Sequence, residues 1–418
     1  MRHVDEYRDG RLAGAIAERI AAEAALDRDY YFMEFCGGHT HAISRYGLED
    51  LLPANIRMIH GPGCPVCVLP IARIDHAIRL AERTEVTLCT YGDLMRVPGS
   101  HGMSLLKAKA AGADIRMVYS TLDAVRIAEA EPDREVVFFA IGFETTTPPT
   151  ALAVRLADTK RLVNFSVFCN HVITPAAIAA ILDHPDVRML GSIRIDGFIG
   201  PAHVSTIIGT QPYRFFAEEY EKPVVVAGFE PLDVMQAILM LVRQVNEGRH
   251  EVENEYIRAV TEEGNLKAQR EVAEVFELRE SFEWRRLGIV PYSALRLREA
   301  FVRYDAERRF PVVTEPVRDN PACECGAILR GVKKPVECRL FGTVCTPETP
   351  IGSCMVSAEG ACAAHWTYGR FREDAAAGVE QPRERHVKTH KAVPAETRPR
   401  KRSGRSLAGS GGRAMASA

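Results

Sequence analysis

No stretch of the sequence approaches the roughly 20 consecutive apolar residues that a membrane-spanning helix requires. The first residues, Met1-Arg2-His3-Val4-Asp5, lack the charged-then-apolar pattern of a secretory signal. The chain also lacks a P-loop and a dinucleotide-type G-x-G-x-x-G, so a nucleotide site has little support. From these absences a cytoplasmic protein with no membrane partner is expected. In that reducing compartment its eleven cysteines do not read as a structural disulfide framework, and the clustered ones read as metal ligands or redox thiols. The remaining composition is that of a globular protein. Its 418 residues, 46% hydrophobic and 26% charged, suffice for two or three domains, each with a core of its own.

Charge is unevenly spread. Between residues 383 and 418 ten Lys and Arg stand against two acids, a net of +8, which leaves about −10 for residues 1–382. The basic end carries Pro, Gly and Ser but almost nothing apolar, so it cannot bury enough area to offset its ordering entropy, and disorder is expected over 373–418. A basic patch can bind nucleic acid. This one has neither interleaved aromatics nor a folded module around it, and nucleic acid is not an expected partner.

Along the body, helical spacing up to Ala25 puts Leu12, Ile16 and Ile20 on one face. A unit then recurs in which a short run of β-formers ends in a glycine or polar loop and a helical pattern follows. It occurs as Tyr31–Phe35 before CGGHTH, Val86–Thr90 before YGD, Val136–Ala140 before IGFETTTPP, Phe165–Cys169 before NHVITP, and Val224–Ala227 before GFEPLD. Such alternation predicts an α/β fold with two parallel-sheet domains flanking a cleft, over residues 28–130 and 131–240. Residues 252–276 read as a long helix with no strand signal. Residues 1–27 and 241–372 are expected to form a smaller, mostly helical and irregular iron–sulfur domain. In open α/β sheets the loops after the strand ends line the binding crevice, and the unusual polar sequences fall on those loops.

Four groups of residues carry chemistry. Cys323, Cys325, Cys338, Cys345, Cys354 and Cys362 lie within forty residues, interleaved with glycines and prolines that let backbone amides turn towards sulfur. Four thiolates suffice for a [4Fe–4S] cluster. Zinc is the rival, but it usually shows two short C-x2–4-C knuckles, and the intervals of twelve, six, eight and seven residues after Cys325 contain none. Gly61-Pro62-Gly63-Cys64-Pro65-Val66-Cys67 offers a C-x-x-C pair that can close a reversible disulfide, or serve as half a zinc site or a structural turn. Cys36-Gly37-Gly38-His39-Thr40-His41 places a thiol beside two imidazoles. That set suits either iron ligation or a cysteine nucleophile with a histidine base. The loops around Asp93, Glu144, Asn170-His171, Asp196–His203 and Gly228–Pro231 complete the list. Taken singly their polar groups serve equally well as helix caps.

Together, CGGHTH at 36–41, GPGCPVC at 61–67, GFETTTPP at 142–149 and the spaced cysteines at 325–362 resemble the HypD family of hydrogenase maturation proteins, over residues 5–370. The resemblance implies a scaffold for assembling the Fe(CN)2CO unit of [NiFe]-hydrogenases, with iron held jointly with a small HypC-type chaperone and cyanide delivered by HypE. It implies Cys36 as the iron-anchoring thiol, with His39 and His41 beside it, and Cys64 and Cys67 as a redox-active pair. It further implies Cys325, Cys338, Cys345 and Cys362 as [4Fe–4S] ligands. Cys323 and Cys354 then form a second thiol pair next to the cluster, an arrangement similar to ferredoxin:thioredoxin reductase. Glu144 joins Cys36, His39, His41, Cys64 and Cys67 as a candidate catalytic residue. The competing class is a cluster-dependent thiol–disulfide oxidoreductase acting on a protein disulfide. A third, a nucleic-acid-binding iron–sulfur protein, rests on the tail alone. Truncation after residue 372 is therefore expected to leave the protein's behaviour unchanged, and a loss of metal content or partner binding would return that third class to consideration.

Overall fold

The computed structural model describes residues 5–184, 194–312, 317 and 319–369. The basic tail falls outside the described residues. Nine strands build two parallel sheets: β1 (Tyr30–Glu34), β2 (Ile56–His60), β3 (Val86–Thr90), β4 (Ile115–Met117), β5 (Glu135–Gly142), β6 (Phe165–His171), β7 (Gly197–Gly200), β8 (Val224–Val226) and β9 (Val252–Asn254). One sheet has the order β2-β1-β7-β8-β9 and the other β4-β3-β5-β6. Helices flank both, as the alternating pattern predicts. Strands β5 and β6 are buried on both faces and read as near-continuous apolar runs, the signature of a covered parallel sheet. Among the described residues no helix is long and apolar enough to cross a membrane.

The strands do not divide between the sheets at residue 130. β1 pairs with β7, Phe32 facing Gly197, while β3 pairs with β5, Val86 facing Glu135. The first sheet is thus assembled from the chain before residue 61 and after residue 196, and the second sheet is inserted between them. Periodicity reveals that a strand exists, not which edge it joins, and the grouping by sequence neighbourhood fails for that reason.

Two further expectations change. The helix Gly10–Glu23 buries Ala13, Ala17 and Ile20, whereas Leu12 is 51% exposed. The small residues face the packed helix Pro231–Glu247, because they let the two backbones approach. The long helix expected over 252–276 is broken. Val252 extends the first sheet by pairing with Val224, and a helix forms only over Leu266–Val275, capped by Asn265, whose side chain accepts from the Ala268 N–H at 3.0 Å. Gly264 explains the break. It has φ +69 and lies against Gly209, where an added Cβ would meet the Ile207 carbonyl at 2.4 Å. Two antiparallel ribbons follow, Phe276–Leu278 with Leu295–Leu297 and Ser281–Trp284 with Gly288–Pro291. Fully buried Trp284 pins them against Val68 and Phe143.

The cysteine-rich segment consists of short turns, among them Cys325–Leu329, Ser353–Met355 and Ala361–Ala364. It has no separate core. Its six cysteines share one buried cluster with Cys64, Cys67, Leu88, Val137 and Phe139 of the second lobe. The helix Ala361–Ala364 also packs on the helix Gly37–Tyr46 of the first. The segment therefore spans both sheets at their loop ends.

Gly209 ends the helix Ala202–Ile208 with φ +76, and a Cβ there would meet the Glu262 carbonyl at 2.1 Å. Gly209→Ala is expected to destabilise the fold by about 2 to 3 kcal/mol, read as a lowered midpoint in urea denaturation.

Candidate functional site

The site is built on the end of β1. Glu34, fully buried, accepts hydrogen bonds from the Cys36 N–H at 2.9 Å, from the Thr40 hydroxyl, and from His60 Nδ1 at 2.9 Å. Burial alone would lower the His60 pKa. The hydrogen bond to Glu34 and that carboxylate's charge outweigh it and hold the pKa above its ordinary value. Cys36 caps the helix Gly37–Tyr46 with extended backbone angles, φ −138 and ψ 125. Its thiol thus stands at the positive end of a ten-residue helix. The side chain is 5% exposed, and burial pushes the thiol up to about 12, against the opposing hydrogen bond from the Gly38 N–H, with Glu359 and Glu34 adding to the rise.

The two histidines of the motif do not flank this sulfur. His39 donates from Nε2 to the carbonyls of Ala227 and Gly228, at 3.1 and 2.9 Å, and its buried Nδ1 has no hydrogen-bond partner. His41 bonds the Tyr368 hydroxyl at 3.1 Å. The imidazole beside Cys36 belongs to His203, whose Nδ1 lies 3.9 Å from the sulfur. The Phe229 ring stands between His203 and His39, with centroid distances of 4.2 and 5.1 Å. Among the described residues no three His, Cys, Asp or Glu side chains are arranged to hold a single metal ion.

The second motif lies directly behind the first. Gly63 packs so closely that a Cβ would meet the Cys36 N at 2.6 Å, and the Gly37 N–H donates to the Gly63 carbonyl at 3.2 Å. Cys64 and Cys67 are joined by a disulfide, 3% and 1% exposed. From there the contacts continue into the cysteine-rich segment. The Ser353 hydroxyl donates to the Cys67 carbonyl at 2.7 Å, and Cys67 Sγ lies 3.8 Å from the Ser353 carbonyl. The neighbouring Cys354 is fully buried and hydrogen-bonds Cys325. Cys325 is the hub of the segment, 3.1 Å from the Cys323 sulfur and also bonded to Cys354 and Cys362. Thiol donors from Cys323, Cys354 and Cys362 hold the Cys325 pKa well below the ordinary thiol range. Cys354 thus lies beside both Cys325 and Cys323. Cys345 accepts from the Ile351 N–H at 3.4 Å, and Cys338 is buried nearby. At Gly352 a Cβ would come within 2.5 and 2.6 Å of the Cys325 and Cys323 sulfurs, so glycine is what lets the backbone reach them.

The remaining polar loops divide. Asp93 accepts from the Ser357 hydroxyl at 2.9 Å, tying the second lobe to the cysteine-rich segment. Asn170 is engaged by Arg73, and Asp196 by the Tyr31 N–H at 2.9 Å. Glu230 caps the helix Pro231–Glu247. These are structural tasks. Glu144 accepts from the Thr174 N–H and hydroxyl, each at 2.9 Å, and does not hydrogen-bond the CGGHTH loop. It lines a separate cavity of about 530 Å³ with Ile173, Ile208, Phe276 and Leu295. Burial pushes its carboxyl up to about 7. Glu34 and His60 escaped the sequence reading, although an acid inside the apolar run YYFMEF was a usable signal. In the sequence His203 stands out only as part of the Asp196–His203 loop.

Fold and site together define a two-sheet α/β protein in which a cleft thiol, a buried disulfide and a six-thiol pocket adjoin one another. Residues 11–369 match the HypD family, described as the hydrogenase formation hypA family. The hydrogenase maturation factor HypD of Rhizobium leguminosarum bv. viciae is 78% identical over 373 residues, covering 89% of this chain and 97% of that protein. HypD of Cupriavidus necator is 68% identical, over 89% and 98% of the two chains. HypD of Escherichia coli strain K12 is 46% identical, over 90% and 100%. The chain belongs to the HypD family of hydrogenase maturation factors.

Because the folded Glu144 pKa of about 7 lies above the ordinary 4.5, its contribution to stability is complete below pH 4.5 and is lost as pH rises towards 7. Glu144→Gln should remove that part of the slope, on the order of 3 kcal/mol across the window, in urea midpoints measured as a function of pH.

Proposed function

We propose that this chain is a cytoplasmic scaffold on which the Fe(CN)2CO unit of [NiFe]-hydrogenases is assembled, with the iron shared with a HypC-type chaperone and cyanide arriving from a HypE-type partner. The observation that carries the reading is the unbroken run of contacts from Cys36 through Gly63 to Cys64–Cys67, and through Ser353 and Cys354 to Cys325.

The cargo iron is the substrate, and Cys36 is its anchor. Burial keeps the thiol protonated until a cation arrives. As the iron–sulfur bond forms the S–H bond breaks, and solvent-exposed His203, 3.9 Å away, is a base placed to carry the proton out. Glu34 holds the loop that presents Cys36, and the near-complete burial of the sulfur keeps water from it. Reduction of the Cys64–Cys67 disulfide takes two electrons and two protons and yields two thiols. Reoxidation returns the same two electrons.

Six buried thiols around a glycine-lined approach fit a [4Fe–4S] cluster in donor chemistry. When bound, that group supplies electrons one at a time. Cys338, Cys345 and Cys362 would hold it together with Cys323 or Cys325. Cys325 contacts both Cys323 and Cys354, so the fourth ligand and the redox partner of Cys354 are drawn from Cys323 and Cys325. Turnover of a protein disulfide, the alternative reading, is disfavoured by the burial of Cys64 and Cys67, which leaves no room for a protein substrate to reach either sulfur.

The test is infrared and Mössbauer spectroscopy of the chain purified anaerobically with its partners. Cys36→Ala should abolish the cyanide and carbonyl bands while leaving the cluster signal. Cys345→Ala should remove the cluster signal, and Cys354→Ala should keep it. Bands of full intensity in the Cys36→Ala protein would end the anchoring role.

A further inference from the structure

We propose that Phe229 is a positioning residue, whose ring holds the His203 imidazole over the Cys36 sulfur and so closes that sulfur off from solvent. The inference rests on Cys36 being the anchoring thiol, but the geometry it invokes needs no iron.

His203 is exposed, and its ring is held by the 3.9 Å approach of Nδ1 to Cys36 and by the tilted Phe229 ring, whose centroid lies 4.2 Å away. A solvent-facing imidazole with no wall behind it populates several rotamers. Phe229 supplies the wall, and the structure fixes that ring from both sides along the chain. Before it, the carbonyls of Ala227 and Gly228 are held by His39 Nε2 at 3.1 and 2.9 Å. After it, the Glu230 N–H donates to Asp233 at 3.2 Å, and the same Asp233 oxygen is gripped by Arg258 at 2.5 Å. Across the cleft Gly38 leaves the ring its space, since a Cβ there would lie 2.3 Å from a Phe229 ring carbon. The second glycine of CGGHTH is therefore a vacancy shaped for Phe229, and a motif with one imidazole turned inward acquires its working imidazole from another loop. Hydrophobicity alone does not account for this placement, because Phe229 is only half-buried.

The experiment is alkylation of Cys36 by iodoacetamide in the full-length, iron-free protein, followed by peptide-resolved mass spectrometry. If Phe229 acts through His203, His203→Ala and Phe229→Leu should each accelerate the reaction about fivefold or more, and the double variant no further than either single one. Phe229→Tyr, which keeps the ring, should stay within about twofold of the unmodified protein. Should Phe229→Leu fail to fold, Gly38→Ala displaces the ring from the other side and should give the same acceleration. The proposal is overturned if Phe229→Leu, or Gly38→Ala in its place, reacts at the unmodified rate. It is equally overturned if the single effects multiply in the double variant, or if Phe229→Tyr is as fast as Phe229→Leu. Absence of cyanide and carbonyl bands from the unmodified protein with its partners would sink the scaffold reading alone, and the alkylation series would still decide the role of Phe229.

Discussion

The buried carboxylate of Glu34 is the constraint on which the rest of the site depends. A charge without solvent is costly unless hydrogen bonds replace the water it has lost. Glu34 obtains three, from the Cys36 backbone, the Thr40 hydroxyl and the His60 ring. Satisfying it therefore fixes the strand end, the first turn of the following helix and the neighbouring strand β2 relative to one another. Removing any one donor would leave part of that charge unpaired, so the loop carrying Cys36 has little freedom to relax. Preorganisation of this kind holds the Cys36 sulfur in one place, as the proposed anchoring role would require.

The burial of Cys36 also silences it. A thiol pushed up to about 12 is neither a nucleophile nor a ligand at neutral pH until a cation offsets the desolvation. The Cys64–Cys67 disulfide behind it is also shielded, in a hydrophobic cluster rather than on the surface. The thiols of the protein are thus separated from solvent oxidants by the same packing that brings them close to one another.

Much of this was legible in the residues alone. The five strand–loop units, the disulfide-forming C-x-x-C and the cysteine-rich segment are local patterns, and they occur where periodicity and spacing put them. Relations between distant segments were not legible. His203 stands beside Cys36 although 167 residues separate them, and no spacing rule connects the two. His39 and His41, adjacent to Cys36 in sequence, turn away because a helix start directs its first residues to different faces. Leu12 loses its place in the core to Ala13 and Ala17, because close helix packing selects for small size over apolarity. The helix expected across 252–276 failed on Gly264, whose left-handed backbone is set by contact with Gly209, a partner that the sequence around it does not announce.

The insertion of one sheet within the other has a consequence for how the chain is made. Strand β1, which carries Cys36 at its end, is flanked in the finished sheet by β2 and β7. The ribosome releases β2 early, but β7, His203 and Phe229 emerge only after the whole second sheet, and Ser353 later still. On the nascent chain the strands of the second sheet are all released before the first sheet is complete, and the cleft around Cys36 waits for segments synthesised more than 160 residues afterwards. The cleft that buries Cys36 is thereby the last part of the fold to close, and its timing is set by the order of translation.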